Sequence, residues 1–153
     1  MGGVLDELDG EDPGPVSHSV KVYALEHVQL AIPPNQEVRA RAFYGGILGL
    51  TEVLKPPLLR ARGGLWFEQP GLKLHLGVEA DFRPARKAHV ALLVDDLAAL
   101  AAACRRAGHS VVSAEPLEGF QHVYVSDPFG NRIELMERIE PGPPGAGVER
   151  APE

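Results

Sequence analysis

Lys87-Ala88-His89-Val90-Ala91-Leu92-Leu93-Val94, followed by Asp95-Asp96-Leu97, has an upstream counterpart in Leu25-Glu26-His27-Val28-Gln29-Leu30-Ala31-Ile32. Each stretch alternates and reads as a strand with a histidine near its start. The segments downstream of the two are alike as well. After Ile32, Asn35 offers a helix N-cap, and Val38, Ala42, Phe43 and Ile47 recur at helical spacing up to Gly49. After Val94, Asp95 or Asp96 caps a helix with Leu97, Leu100, Ala101 and Cys104 on one face. Arg105, Arg106 and Gly108 suit its C-terminal end. Three short strands come next in each half: Thr51–Leu54, Leu65–Glu68 and Leu72–Val78, then Ser110–Ala114, His122–Ser126 and Arg132–Glu137. The turn Asp127-Pro128-Phe129-Gly130-Asn131 precedes the last strand. The order is βαβββ twice, an α+β domain of two similar modules, 22–79 and 87–137.

The repeat becomes chemical when the polar residues on its strands are marked. His27 and His89 lie at the first strand of each half, and His75 and Glu134 on the last. Side chains alternate faces along a strand. Val28, Leu30 and Ile32 oppose His27, and Leu72, Leu74, Leu76 and Val78 oppose His75. Val90, Leu92 and Val94 oppose His89, and Ile133 and Leu135 oppose Glu134. Each apolar face can pack on a helix. If the two halves curl into one sheet, the four polar side chains converge on a concave pocket. Three imidazoles and a carboxylate make a nitrogen/oxygen site for a divalent ion such as Zn, Ni, Mn, Fe or Co. A lone strand histidine is more often a hydrogen-bonded structural residue. The repeat is what lifts these four above that reading. His18 and His109 read as solvated, and the face of His122 stays open.

Composition sets the outer bounds. The chain has 153 residues, of which 44% are hydrophobic and 24% charged, which is ordinary for one globular domain. All nine aromatic residues lie between Tyr23 and Phe129. Residues 1–20 and 139–153 are rich in Gly, Pro and acid. They read as disordered tails around a folded domain at 21–138. Gly145-Ala146-Gly147 follows no strand and is no phosphate loop. The net charge of −6 sits in those tails, because thirteen acidic and fourteen basic side chains leave residues 21–138 near neutrality. That balance does not suit a phosphate-tracking nucleic-acid binder. No apolar run is long enough to span a membrane, and no basic-then-apolar leader is visible. The single Cys104 excludes an intrachain disulfide and a Cys-based zinc site. A cytoplasmic protein is the expectation.

The ligand positions, Phe43-Tyr44 with Leu48-Gly49-Leu50, and Asp127-Pro128-Phe129-Gly130-Asn131-Arg132-Ile133-Glu134 together resemble the vicinal oxygen chelate superfamily over about residues 22–137. That superfamily holds glyoxalase I, extradiol dioxygenases, fosfomycin-resistance thiol transferases and bleomycin-resistance proteins. The resemblance implies paired βαβββ modules wrapped into a half-barrel around a divalent metal, with open positions for two neighbouring substrate oxygens. It implies His27, His75, His89 and Glu134 as ligands in the glyoxalase I pattern, although His75 stands where bacterial glyoxalase I carries Glu. The dioxygenase and fosfomycin patterns imply three ligands, at His27, His89 and Glu134, and the dioxygenases also place a Tyr where Tyr124 stands.

A carboxylate at a metal can move a proton between adjacent carbons, which makes Glu134 the catalytic candidate. Gln29, Trp66, Tyr124 and Arg132 are expected to line the substrate pocket, and Arg62, Arg83 and Arg86 are further anion-holding candidates. The function expected is a metal-dependent enzyme on a small molecule with vicinal oxygens, a glyoxalase-like lyase or isomerase. An extradiol-type dioxygenase and a non-catalytic drug- or metabolite-binding protein are the alternatives. Open sheet edges in a two-module chain favour a homodimer.

Overall fold

The computed structural model describes residues 19–140. The two expected tails lie outside the described residues, except for residues 19–20 and 139–140 at their inner ends. The first module runs β1 (Val28–Ile32), α1 (Glu37–Ala40) continuing into a π-helical segment (Arg41–Ile47), β2 (Glu52–Val53), α2 (Pro57–Arg60), β3 (Leu65–Gln69) and β4 (Leu72–Val78). The second runs β5 (Val90–Leu93), α3 (Leu97–Arg106), β6 (Val111–Ser113), β7 (Phe120–Ser126) and β8 (Arg132–Arg138). Each module makes one four-stranded sheet, ordered β1-β4-β3-β2 and β5-β8-β7-β6. The first and last strands pair in parallel in both, and the others pair antiparallel. The expected duplicated α+β architecture is the observed one.

Three local expectations are corrected. The first strands are shorter than read: β1 begins at Val28 and β5 at Val90, so His27 and His89 sit just ahead of their ladders. Among the described residues both strands are sheet edges with a single neighbour. Upstream of the first paired residues, Val28↔Leu74 and Val90↔Ile133, the backbone has no strand partner among the described residues. The first helix is capped at Gln36, not Asn35, which adopts φ 60° in the preceding turn. Its buried stripe also differs. Val38 is 77% exposed and Ala42 is exposed, while Ala40, Phe43 and Tyr44 are buried. The wide π turn, seen in the bond from Leu48 N to Phe43 O at 2.9 Å, rotates the register and lets two adjacent aromatics face inward. The third correction is α2, a single turn begun by Pro57 between the strands expected at Thr51–Leu54 and Leu65–Glu68, where no element is expected.

α3 follows its signals closely. Asp96 accepts from Ala99 N at 2.9 Å as N-cap, Leu97, Ala101 and Cys104 are buried, and Gly108 takes φ 87° beyond the end. Ile32, Phe43, Tyr44, Phe67, Leu74 and Leu76 from the first module join Leu92, Leu97, Cys104, Val125, Ile133 and Leu135 from the second in one core. The Asp127–Asn131 turn fastens the modules together. Asp127 Oδ1 accepts from Phe129 N and Asn131 N, and Oδ2 accepts from Tyr44 Oη and Asn131 Nδ2. Asn131 also donates to Ala31 O and accepts from Ala85 N. Those bonds reach the first module's helix, its first strand and the linker, so this conspicuous motif is structural.

Candidate functional site

Because the apolar faces of both sheets are used by the core, the opposite faces are left for chemistry. On the first sheet Gln29 and Trp66 flank His75 in register, one from each neighbouring strand. The Trp66 and His75 rings stack at 4.0 Å with 2° between their planes, and His27 stacks on His75 at 4.5 Å and 24°. His75 is only 4% exposed, and its Nε2 donates to Glu68 Oε1 at 2.9 Å. Gln29 lies across Gly77, where an added Cβ would come within 2.5 Å of its amide nitrogen. Gln29, Lys55, Arg62, Trp66 and Gly77 line one open groove on this side.

The second sheet repeats the registers: Ala91 and Tyr124 flank Glu134 as Gln29 and Trp66 flank His75. His89 Nε2 lies 2.8 Å from Glu134 Oε2, and its other nitrogen, Nδ1, donates to Lys87 O at 2.9 Å. His122 Nδ1 lies 2.6 Å from Glu134 Oε1, and its Nε2 donates to Glu115 O at 2.5 Å. The Tyr124 ring stands edge-on to His89 at 5.5 Å, with the Arg132 guanidinium 4.6 Å above it. Glu134 is 8% exposed. Burial pushes its carboxyl up, but the hydrogen bonds and charge of His122 and His89 outweigh this and hold it below the usual carboxylate range. The bond to Glu134 raises the His122 imidazole above its ordinary value.

The structure therefore brings His27 to His75 and His89 to Glu134, on two separate sheets. Among the described residues no group of three or more His, Cys, Asp or Glu side chains is gathered to hold an ion. The one-sheet convergence expected from the repeat is not what this single chain forms.

A family model of the Glyoxalase/Bleomycin resistance protein/Dioxygenase superfamily matches residues 25–135. The chain belongs to that superfamily. Among solved structures it is similar to a glyoxalase family protein from Bacillus anthracis, at 39% identity over 80% of this chain and 100% of the other, with a TM-score of 0.73. It shares its fold with the fosfomycin resistance protein FosX from Listeria monocytogenes (15% identity, 78% and 96% coverage, TM-score 0.62). It also shares its fold with TnmS3, an antibiotic binding protein from Streptomyces sp. CB03234 (23%, 77% and 100%, TM-score 0.55). No curated protein matches the chain in sequence. The superfamily thus covers enzymes and binders alike.

For a glyoxalase-superfamily chain, the residues that sequence reasoning passed over are as informative as those it found. His122 contacts Glu134 directly, and Glu68 contacts His75. Both were legible by parity: Val123 and Val125 face the core, which turns His122 and Tyr124 to the side of Glu134. Phe67 faces the core, which turns Trp66 and Glu68 to the side of His75. His109 is not solvated as expected; it donates to Ser126 O at 3.1 Å and packs on Phe43 at 4.7 Å. His18 lies outside the described residues. No helix among the described residues is long and apolar enough to cross a membrane.

The donor chemistry fits the divalent metal common in this superfamily. Glu134 is a buried carboxylate that no Lys or Arg neutralises by a salt bridge among the described residues. His89 has its remote nitrogen fixed by a backbone carbonyl, as metal-ligating histidines usually do. An imidazole nitrogen and a carboxylate oxygen that share a proton are the donors a borderline divalent ion takes once that proton leaves.

Proposed function

We propose that this protein is a divalent-metal-dependent enzyme acting on a small molecule with two neighbouring oxygens, by glyoxalase-like lyase or isomerase chemistry. The observation that carries the reading is the 2.8 Å pair of His89 Nε2 and Glu134 Oε2, with His89 oriented by Lys87 O. His27, His75, His89 and Glu134 would hold the ion. When bound, it would polarise a substrate oxygen as a Lewis acid.

This chain's own residues supply the rest. Glu134 takes a proton from one carbon of the substrate and returns it to the next; burial beside the reacting atoms keeps bulk water from competing. The Trp66 face and the Gln29 amide form one wall of the substrate site. Tyr124, held under Arg132, forms the other.

We further propose that two copies complete the site. The ligand pairs sit on separate sheets of one chain, and β1 and β5, the strands next to His27 and His89, are both edges paired on one side only among the described residues. The approach to β1 exposes Val20, Val22, Tyr23 and Leu25, and β5 exposes Leu93. Apolar side chains beside an open edge suit pairing with a second chain. A homodimer with β1 of one copy beside β5 of the other would set His27 and His75 against His89 and Glu134. The free, buried Cys104 accords with a cytoplasmic location.

A second reading is favoured by one observation. His75 Nε2 is engaged by Glu68 and its ring is sandwiched between Trp66 and His27. That leaves His27, His89 and Glu134 as a 2-His-1-carboxylate triad with Tyr124 beside it, which suits an iron- or manganese-dependent extradiol-type dioxygenase. Assays of reconstituted protein separate the two. Isomerisation of thiol adducts of 2-oxoaldehydes supports the lyase. Oxygen uptake with catechols supports the dioxygenase. Ligand binding by a protein that takes up no metal would support a binder and overturn both.

A further inference from the structure

His122 is held at both ring nitrogens on the second sheet, yet the proposed chemistry assigns it nothing. Its Nδ1 lies 2.6 Å from Glu134 Oε1 and its Nε2 is anchored at 2.5 Å to Glu115 O, in the segment leading into β7. Its side chain is 9% exposed and that of Glu134 10%. A backbone carbonyl only accepts, so Nε2 carries a proton and the ring cannot flip without losing that bond. Strand parity and register fix the rest: His122 stands two residues from Tyr124, which pairs across from Glu134.

The two oxygens of Glu134 therefore have different duties. Oε1 is taken by His122, and Oε2 is turned toward His89 Nε2 at 2.8 Å. With Oε1 free, the carboxylate could rotate about its last torsion, which has broad, shallow preferences. We propose that His122 is the positioning residue of the site: by donating from Nδ1 to Oε1 it holds Glu134 with Oε2 presented toward His89 for the metal. This rests on the metal-dependent reading above. His122 touches neither ion nor substrate; it acts through Glu134, as hydrogen-bonded partners of metal-binding carboxylates do.

Two variants test it. His122→Ala removes the donor. His122→Asn keeps an N–H donor near the Nδ1 position. Co²⁺ titration followed by the visible spectrum is the first readout. The expected result is an affinity loss of roughly 10–100-fold in His122→Ala and near-recovery in His122→Asn, with the wild-type spectral shape kept. An unchanged affinity in His122→Ala would overturn the proposal. So would a His122→Asn variant as weak as His122→Ala with an altered spectrum, which would make His122 a ligand. The second readout needs no metal: a crystal structure of each metal-free variant. Glu134 should leave its orientation in His122→Ala and keep it in His122→Asn; an unmoved Glu134 in His122→Ala contradicts the inference. If the wild type binds no Co²⁺, the metal reading falls while the crystal structures still decide whether His122 sets the carboxylate.

Discussion

The Tyr44 hydroxyl donates to Asp127 Oδ2 across 2.8 Å, tying the helix of the first module to the turn of the second inside a buried core. Asp127 accepts three further bonds in the same turn, so the pair is part of a small network. Tyr44→Phe should cost about 1–2 kcal/mol in urea denaturation, because it leaves one carboxylate oxygen with a single partner. Asp127→Ala should cost about 3 kcal/mol or more, since it strands several buried donors at once. Equal costs for the two would show that the turn is not held by the carboxylate.

The same pair predicts an alkaline signature. Burial first, and the Asp127 charge second, push the Tyr44 hydroxyl well above its ordinary range. A group whose folded pKa is raised stabilises fully below its unfolded value and loses that contribution as pH climbs toward the folded one. The stability gap between wild type and Tyr44→Phe should therefore stay constant up to about pH 10 and narrow above it. A gap that narrows in the acid range would contradict this.

Much of this was legible in the sequence, and the rest was hidden for identifiable reasons. The βαβββ repeat, the Asp96 cap and the side of the sheet taken by His75 and Glu134 came from periodicity and parity. The burial of Tyr44 did not, because a π turn breaks the 3.6-residue period on which the stripe at Val38, Ala42, Phe43 and Ile47 was built. The starts of β1 and β5 did not, because each edge strand meets its one neighbour only from Val28↔Leu74 and Val90↔Ile133 onward, a tertiary fact. Within the candidate site, strand parity puts His89 and Glu134 on the pocket side and, read the same way, His122 and Glu68 as well; which of these side chains touch is set by the cross-strand register, which the sequence does not carry.

The assembly has its own test. Leu93 is 58% exposed on edge strand β5, so Leu93→Glu should leave the single chain folded. In sedimentation velocity the wild type should run as a dimer and Leu93→Glu as a monomer, with the metal affinity of the variant falling in step. A wild type that stays monomeric and still binds metal tightly would place the whole site in one chain.

His75 separates the lyase reading from the dioxygenase reading. If it is a ligand, His75→Ala should weaken Co²⁺ affinity about as much as His27→Ala does. If Glu68 holds it off the ion, His75→Ala should cost far less than His27→Ala or His89→Ala, and the triad would be His27, His89 and Glu134.

Metal content tests the central claim most directly. Protein stripped with chelator, offered Zn, Ni, Mn, Fe and Co in turn and freed of excess ion should retain about one divalent ion per chain for at least one of them, and His89→Ala and Glu134→Ala should abolish retention. A wild-type protein that stays metal-free with every ion offered would contradict the account.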